Sequence, residues 1–179
     1  MMEQVFIING SGFSGKDAFI KMFECVLNCK KTLVLNYSSV EKVKKLAEFA
    51  GWNGTKTEKD RKFLSDLKLL TTEYNDMAFN DMLETIEDFY NLVPSFNKVC
   101  FLHIREPEEI DRMAKKLSAK TILMKRDSIE HITSNMADAN VYNYDYDIVI
   151  ENNGTLEELK EKAKLFVNDL KNNDLKERY

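Results

Sequence analysis

A glycine loop held between an apolar strand and an amphipathic helix constrains this chain more than any other feature. "VFIING" is a short β-rich run ending in Gly10, and "GKDAFIKMFECVLN" carries Ala18, Phe19, Met22, Val26 and Leu27 at helical spacing. Between them "GSGFSGKD", residues 10 to 17, matches G-x-x-x-x-G-K with Gly10, Gly15 and Lys16 in place. A loop in this setting turns successive backbone N–H groups toward one point, which the helix N-terminus also favours for negative charge. Gly10, Gly12 and Gly15 let the backbone bend and approach an anion, with Ser11, Phe13, Ser14 and Ala18 completing the cradle. Lys16 supplies a point charge to β- and γ-phosphates, so the expected cofactors are ATP and Mg²⁺. The bland alternative is a glycine turn with a solvated lysine.

Asp17 stands where this motif ordinarily places a metal-binding hydroxyl. Two readings stay open. A carboxylate in the first helical turn is favoured by the helix dipole alone, and it is also a good hard-oxygen ligand for Mg²⁺, directly or through a water.

The strand and helix alternate along the rest of the chain. "KTLVLNYSS" reads as a second strand, followed by a Ser38-x-x-Glu41 capping box and a helix with Val40, Val43, Leu46, Ala47 and Phe49 on one side. Residues 60 to 92 hold a long helical pattern, read as two helices with a bend near Thr71 and Thr72. "NKVCFLHIR" is a third strand, stopping at Glu106-Pro107, where Pro opens a helix; "AKTILMKRD" and "YDIVIENNG" supply two more. Thr155-x-x-Glu158 caps a last helix with Leu156, Leu159, Ala163, Phe166, Val167 and Leu170 inward, and "KNNDLKERY" reads as a frayed tail. Helical crossovers between nearly all-apolar strands predict a five-stranded parallel sheet with helices on both faces: an α/β chain of P-loop NTPase fold.

Composition narrows the class. A chain of 179 residues, 44% apolar, can bury a full core and is expected to form a single domain, 1–179. A net charge of -4, spread over alternating Lys and Glu, leaves no basic block for a nucleic-acid polymer. The opening "MMEQVFIINGSG" has only four consecutive apolar residues and no later stretch does better, so no membrane association and a cytoplasmic location are expected. Cys25, Cys29 and Cys100 read as buried, reduced thiols. The sequence carries no signal for oligomeric state.

Ligands of open parallel sheets bind beyond the carboxyl ends of the strands. His103 and Arg105 leave the third strand there, on one face. The polar stretch "RDSIEHITSNMADANVYNYD", residues 126–145, reads as a lid that excludes water, with His131 and Asn135 one turn apart as candidate ligand contacts. Asn152 and Asn153, after the fifth strand, are candidates for the donor base, although Asn-Asn-Gly is equally a good turn. Trp52 and Tyr74 are candidates for stacking on a base, with core packing the commoner role.

"GSGFSGKD", "HIREPEEI" and "DYDIVIENNGTLEEL", in this order over about residues 4 to 170, resemble the P-loop kinases that carry Gly-Lys-Asp. These are the deoxynucleoside monophosphate kinases of phages and bacteria and, more distantly, the animal-type phosphomevalonate kinases. In them the middle segment usually reads Asp-x-Arg-x-x-x-Glu at a strand end. The resemblance implies that Arg105 pairs with acceptor or transferring phosphate, with a surface salt bridge to Glu108 or Glu109 as the alternative. It implies the same for Arg61 and Arg126, on the acceptor and lid sides; only five arginines occur beside 21 lysines, and three of them fall where loops meet phosphate. Ser38 and Lys42 match an acceptor-binding segment, and residues 58–92 a helical acceptor-binding insert. His103 departs from the pattern by replacing the metal-orienting aspartate, and imidazole is a poorer partner for Mg²⁺.

The implied activity transfers the γ-phosphoryl of ATP to a small-molecule monophosphate acceptor, a (deoxy)nucleoside monophosphate first, with Lys16, Arg105 and Arg126 carrying the transfer and Asp17 and His103 at the metal. A nucleotide-binding or regulatory module with little transfer is the alternative, favoured by His103 and Asp17, although no Asn-Lys-x-Asp signature supports a guanine switch. A phosphomevalonate kinase-like acceptor is a third reading.

Overall fold

Strand-forming and helix-forming stretches alternate in the computed structural model, which describes residues 3–27, 31–128 and 141–179. Among the described residues the elements are β1 (Glu3–Asn9), α1 (Lys16–Leu27), β2 (Thr32–Ser38), α2 (Glu41–Phe49), α3 (Glu58–Asn75), α4 (Met77–Asn91), β3 (Asn97–His103), α5 (Pro107–Leu117), β4 (Lys120–Lys125), β5 (Ile148–Glu151) and α6 (Leu156–Asn172). The five strands form one sheet in the order β2-β3-β1-β4-β5, with β1 parallel to β3 and β4, and β4 parallel to β5. None of these helices is long and apolar enough to cross a membrane.

Two compact units divide the chain, one of Met1–Asn36 with Ser95–Tyr179 and the other Tyr37–Pro94. The first contains β1, β3, β4, β5, α1, α5 and α6. Val5 to Asn9 of β1 are all buried, as a central strand covered on both faces requires. One face carries Phe6, Ile8, Val99, Phe101, Ile122, Met124, Ile148 and Ile150 against α1 and α6. There Phe6, Phe23, Phe101 and Phe166 pair with ring centroids between 5.0 and 6.0 Å apart, each pair adding about 0.5–1.5 kcal/mol beyond its buried area. Ile7, Cys100, Leu102 and Leu123 alternate to the opposite face, where α5 packs near β1 and β4 through buried Ile110 and Met113.

The strand order fixes where a ligand can enter. From β1 the chain runs to β2 on one side, and from β3 it runs to β4 on the other. This reversal at β1 and β3 opens a crevice beyond their carboxyl ends. Ile8 lies opposite His103 and Asn9 opposite Leu123, so β1 and β3 end within a residue of each other at the glycine loop and β4 runs two residues further.

Several details depart from the sequence expectations. The box at Ser38 does not form: α2 starts at Glu41 with Val40 as N-cap and no side-chain cap. The break in the long helical stretch falls at Asp76, whose left-handed φ of 56° ends α3 and starts α4, not at Thr71 and Thr72. A cap of this kind leaves no mark in hydrophobic periodicity. Spacing alone also misplaced Phe49 of α2 and Leu156 of α6, which are 94% and 69% exposed, and Tyr74, for which core packing was the commoner expectation, is exposed. Cys25 is exposed and Cys100 is a core thiol; Cys29 lies outside the described residues.

The tail is the largest correction. Val149 donates its N–H to the Glu177 carbonyl (2.7 Å), Tyr179 to the Val149 carbonyl (2.9 Å) and Glu151 to the Tyr179 carbonyl (3.0 Å), so residues 177–179 cover the outer edge of β5. The Tyr179 ring packs on Phe166 and its hydroxyl donates to Asp169. Covering an exposed sheet edge satisfies backbone groups that a polar composition hides from a sequence reading.

Candidate functional site

The loop from Gly10 to Lys16 joins β1 to α1 at the crevice. Gly10 has φ 148°, and a Cβ there would run into the Met124 carbonyl oxygen and lie 2.7 Å from Ser14 Oγ, so β4 admits only glycine. Gly15, at φ 99°, would drive a Cβ into the Asn152 amide. The third loop residue with a positive φ is Phe13 (φ 64°), 88% exposed, in a turn that it shares with Gly12.

Four carbonyls of the loop, those of Gly10, Ser11, Ser14 and Gly15, are claimed by donors. Lys16 Nζ donates to the carbonyls of Gly10 (2.5 Å) and Ser11 (2.9 Å) and to Ser14 Oγ (3.3 Å). Asn152 Nδ2 donates to the Ser14 carbonyl at 2.9 Å. Because C=O and N–H of a trans peptide point to opposite sides, tying these oxygens turns the following N–H groups the other way. Phe19 donates to the Gly15 carbonyl (2.9 Å), which starts α1 at Lys16 and leaves the first-turn N–H groups, through Ala18, facing the loop.

Asparagine and tyrosine side chains hold the loop's first half. Gly10 donates its N–H to Asn9 Oδ1 (2.8 Å), while Asn9 Nδ2 donates to Tyr146 Oη (2.8 Å) and to the Arg105 carbonyl (3.3 Å). Tyr146 donates in turn to the Val141 carbonyl, and its hydroxyl pKa is pushed up to about 12, chiefly by burial. Tyr142 Oη lies 3.2 Å from Ser11 Oγ, and Tyr144 donates to Asp111 and packs edge-on against Tyr146. The sequence reading names none of Asn9, Tyr142 and Tyr146, although Tyr142 lies within the polar stretch 126–145, Tyr146 directly follows it, and Asn9 immediately precedes the first loop glycine.

At the mouth, His103 Nε2 is 2.6 Å from Asn36 Oδ1 and 3.8 Å from Asp17 Oδ1. The Asp17 carboxylate is 78% exposed, so it is open to a cation. The fourth and fifth strands also bring their ends together. Asn152 continues the ladder by donating its N–H to the Lys125 carbonyl (2.7 Å), and Asp127 and Asn153 exchange two hydrogen bonds of 2.8 and 2.6 Å. Asn152 is 7% exposed beneath the loop, which corrects the expectation that its side chain is open to a base. Asn153 and Gly154 line a groove of about 460 Å³ with Leu159 and Leu165. Arg126, directly after β4, has a buried Nε with no hydrogen-bond partner among the described residues. Arg105 is exposed beside the crevice.

The other expected residues lie on the second unit, apart from His131 and Asn135, which lie outside the described residues. There Asp81 accepts from Tyr37 (2.8 Å) and pairs with Lys42 (3.1 Å), and it joins burial in raising the Tyr37 pKa. Ser38 is half-buried, Arg61 is exposed with Nε donating to the Lys56 carbonyl, and the Trp52 indole donates to the Thr55 carbonyl.

Strand order, loop and helix together define a P-loop NTPase fold. No protein-family model matches the sequence, and no curated protein matches it. Among solved structures the chain is similar to shikimate kinase from Aquifex aeolicus vf5 at 15% identity, covering 96% of this chain and 99% of that one with a TM-score of 0.45. It is similar to a de novo designed protein of P-loop NTPase fold at 15% identity, covering 96% and 94%, TM-score 0.38. It is also similar to thymidylate kinase from Ehrlichia chaffeensis at 12% identity, covering 100% and 93%, TM-score 0.34.

Proposed function

We propose that this protein is a small-molecule kinase that transfers the γ-phosphoryl of ATP to a monophosphate acceptor, a (deoxy)nucleoside monophosphate first. The observation that carries the reading is the loop's polarity: the Gly10, Ser11 and Ser14 carbonyls are all tied to Lys16 or Asn152, which leaves an electropositive concavity at the N-terminus of α1. A concavity of this sign takes polyphosphate.

Phosphoryl transfer asks for positioning and charge neutralisation, with little proton chemistry. Lys16 and the loop backbone hold the donor phosphates. Arg126, whose buried Nε has no acceptor among the described residues, and the exposed Arg105 surround the transferring group. The donor base takes the groove at Asn153 and Gly154. Ser38, Lys42 and Arg61 serve the acceptor; of the stretch 126–145 expected as a lid, residues 129–140 lie outside the described residues.

The residues at the mouth fit a divalent cation, since an open carboxylate is a hard-oxygen donor. Asp17 would hold Mg²⁺, directly or through water, with His103 beside it. The bound ion supplies charge neutralisation on the phosphates.

A second reading, a nucleotide-binding module without efficient transfer, is favoured by one contact: His103 Nε2 is engaged by Asn36 at 2.6 Å, where a carboxylate would face the ion. A panel of nucleoside monophosphates and phosphomevalonate, each incubated with ATP·Mg²⁺ and followed by ADP release, separates the readings. Turnover that depends on one acceptor supports the kinase and names its class. ATP binding with no acceptor-dependent ADP supports the module.

A further inference from the structure

The loop glycine Gly15 and the residue after β5 are shaped for each other. Asn152 is 7% exposed, and its Nδ2 donates to the Ser14 carbonyl at 2.9 Å in a buried contact. Ser14 itself is 1% exposed, so that carbonyl has no access to water in place of the amide. The backbone of Asn152 is fixed independently, because its N–H donates to the Lys125 carbonyl at 2.7 Å, one step beyond the β4·β5 ladder. A Cβ on Gly15 would occupy the place of the Asn152 amide, so the absent side chain at 15 is what admits the amide at 152.

We infer that Asn152 is a positioning residue that locks the Ser14–Gly15 peptide, holding its carbonyl inward so that the Gly15 N–H faces the phosphate cradle. The lock follows from peptide planarity: the Ser14 C=O and Gly15 N–H are antiparallel, and fixing one fixes the other. Asparagine suits the place, since a carboxylate in the same volume would present only acceptors to the Ser14 oxygen. Preorganised N–H donors bind anions without reorganising the loop at the moment of binding, so the lock acts on nucleotide affinity. This role rests on the reading of the loop as a phosphate cradle, but the peptide orientation can be observed without any nucleotide.

The experiment pairs two readouts on wild type, Asn152→Leu, which keeps the side-chain branching and removes the donor, and Asn152→Ala. The first is the amide resonances of Ser14, Gly15 and Lys16 in ¹⁵N-labelled, nucleotide-free protein; the second is calorimetric affinity for ATP·Mg²⁺. Expected are displaced or exchange-broadened Gly15 and Lys16 resonances in both variants, with resonances of β1 and α6 unmoved, and ATP affinity lowered tenfold or more. Unmoved Gly15 and Lys16 resonances, or affinity within twofold of wild type, would overturn the lock. Wild-type protein that binds no ATP, while the variants still displace those resonances, would leave the lock standing and remove the cradle reading instead.

Discussion

His103 Nε2 lies 3.8 Å from Asp17 Oδ1, which places an imidazole at the strand end and a carboxylate in the first turn of α1 on the same side of the loop mouth. Asp17→Ala is expected to lower Mg²⁺-dependent ATP affinity about tenfold or more, and Asp17→Ser, which restores a hydroxyl, to retain it. His103→Asp should strengthen the dependence on Mg²⁺, because carboxylate is the better partner for a hard cation. Magnesium titrations of ATP binding read all three, and an Asp17→Ala protein with unchanged Mg²⁺ dependence would assign Asp17 to the helix dipole alone.

Gly15→Ala meets two obstacles, a φ of 99° and the Asn152 amide in the space of the new methyl. Left-handed strain alone costs about 1–3 kcal/mol. The variant should melt several degrees lower and bind ATP poorly. Normal melting together with normal affinity would show that the loop relaxes freely, against a close fit between Gly15 and Asn152.

The sheet, its helices and the loop were legible because each has a local signature: alternating apolar runs, 3.6-residue spacing, and glycines between a strand and a helix. Thr155 and Pro107 open α6 and α5 as their sequence signals indicate. The site's supports were not legible. Asn9 and Asn152 are ordinary polar residues until the fold brings the Asn9 amide to Tyr146 and the Arg105 carbonyl and the Asn152 amide beneath Ser14. Periodicity misplaced Phe49 on α2 and Leu156 on α6, both exposed, because spacing does not say where the buried stripe of a helix ends. The tail was missed because its pairing to β5 uses backbone groups whatever the side chains.

Burial holds the Tyr146 hydroxyl protonated well above its ordinary value of 10.0, to about 12. The folded-state pKa exceeds the unfolded one, so this contribution to stability is present below about pH 10 and is lost as the pH rises through about 12. Tyr179 titrates in the same direction. Denaturation of wild type and Tyr146→Phe between pH 9 and 12 should show a shallower alkaline loss in the variant; equal slopes would mean that Tyr146 ionises as freely in the folded state as in the unfolded one.

Tyr179→Ala removes the ring from Phe166 and the hydroxyl from Asp169. A loss of about 2 kcal/mol is expected, a fall in Tm of roughly 4–8 °C for a chain of this size. Urea melts check it, and a variant as stable as wild type would return residues 177–179 to the frayed tail that their composition suggests.

The central claim is that the backbone between Gly10 and Lys16 grips the terminal phosphates of a nucleoside triphosphate. Isothermal calorimetry of wild type and Lys16→Ala with ATP in the presence of Mg²⁺ addresses it most directly. The account predicts a saturable heat for wild type and affinity reduced about 100-fold or more in a variant whose Tm stays close to wild type. Absence of any saturable heat from wild type, or equal affinity in the two proteins, would contradict it.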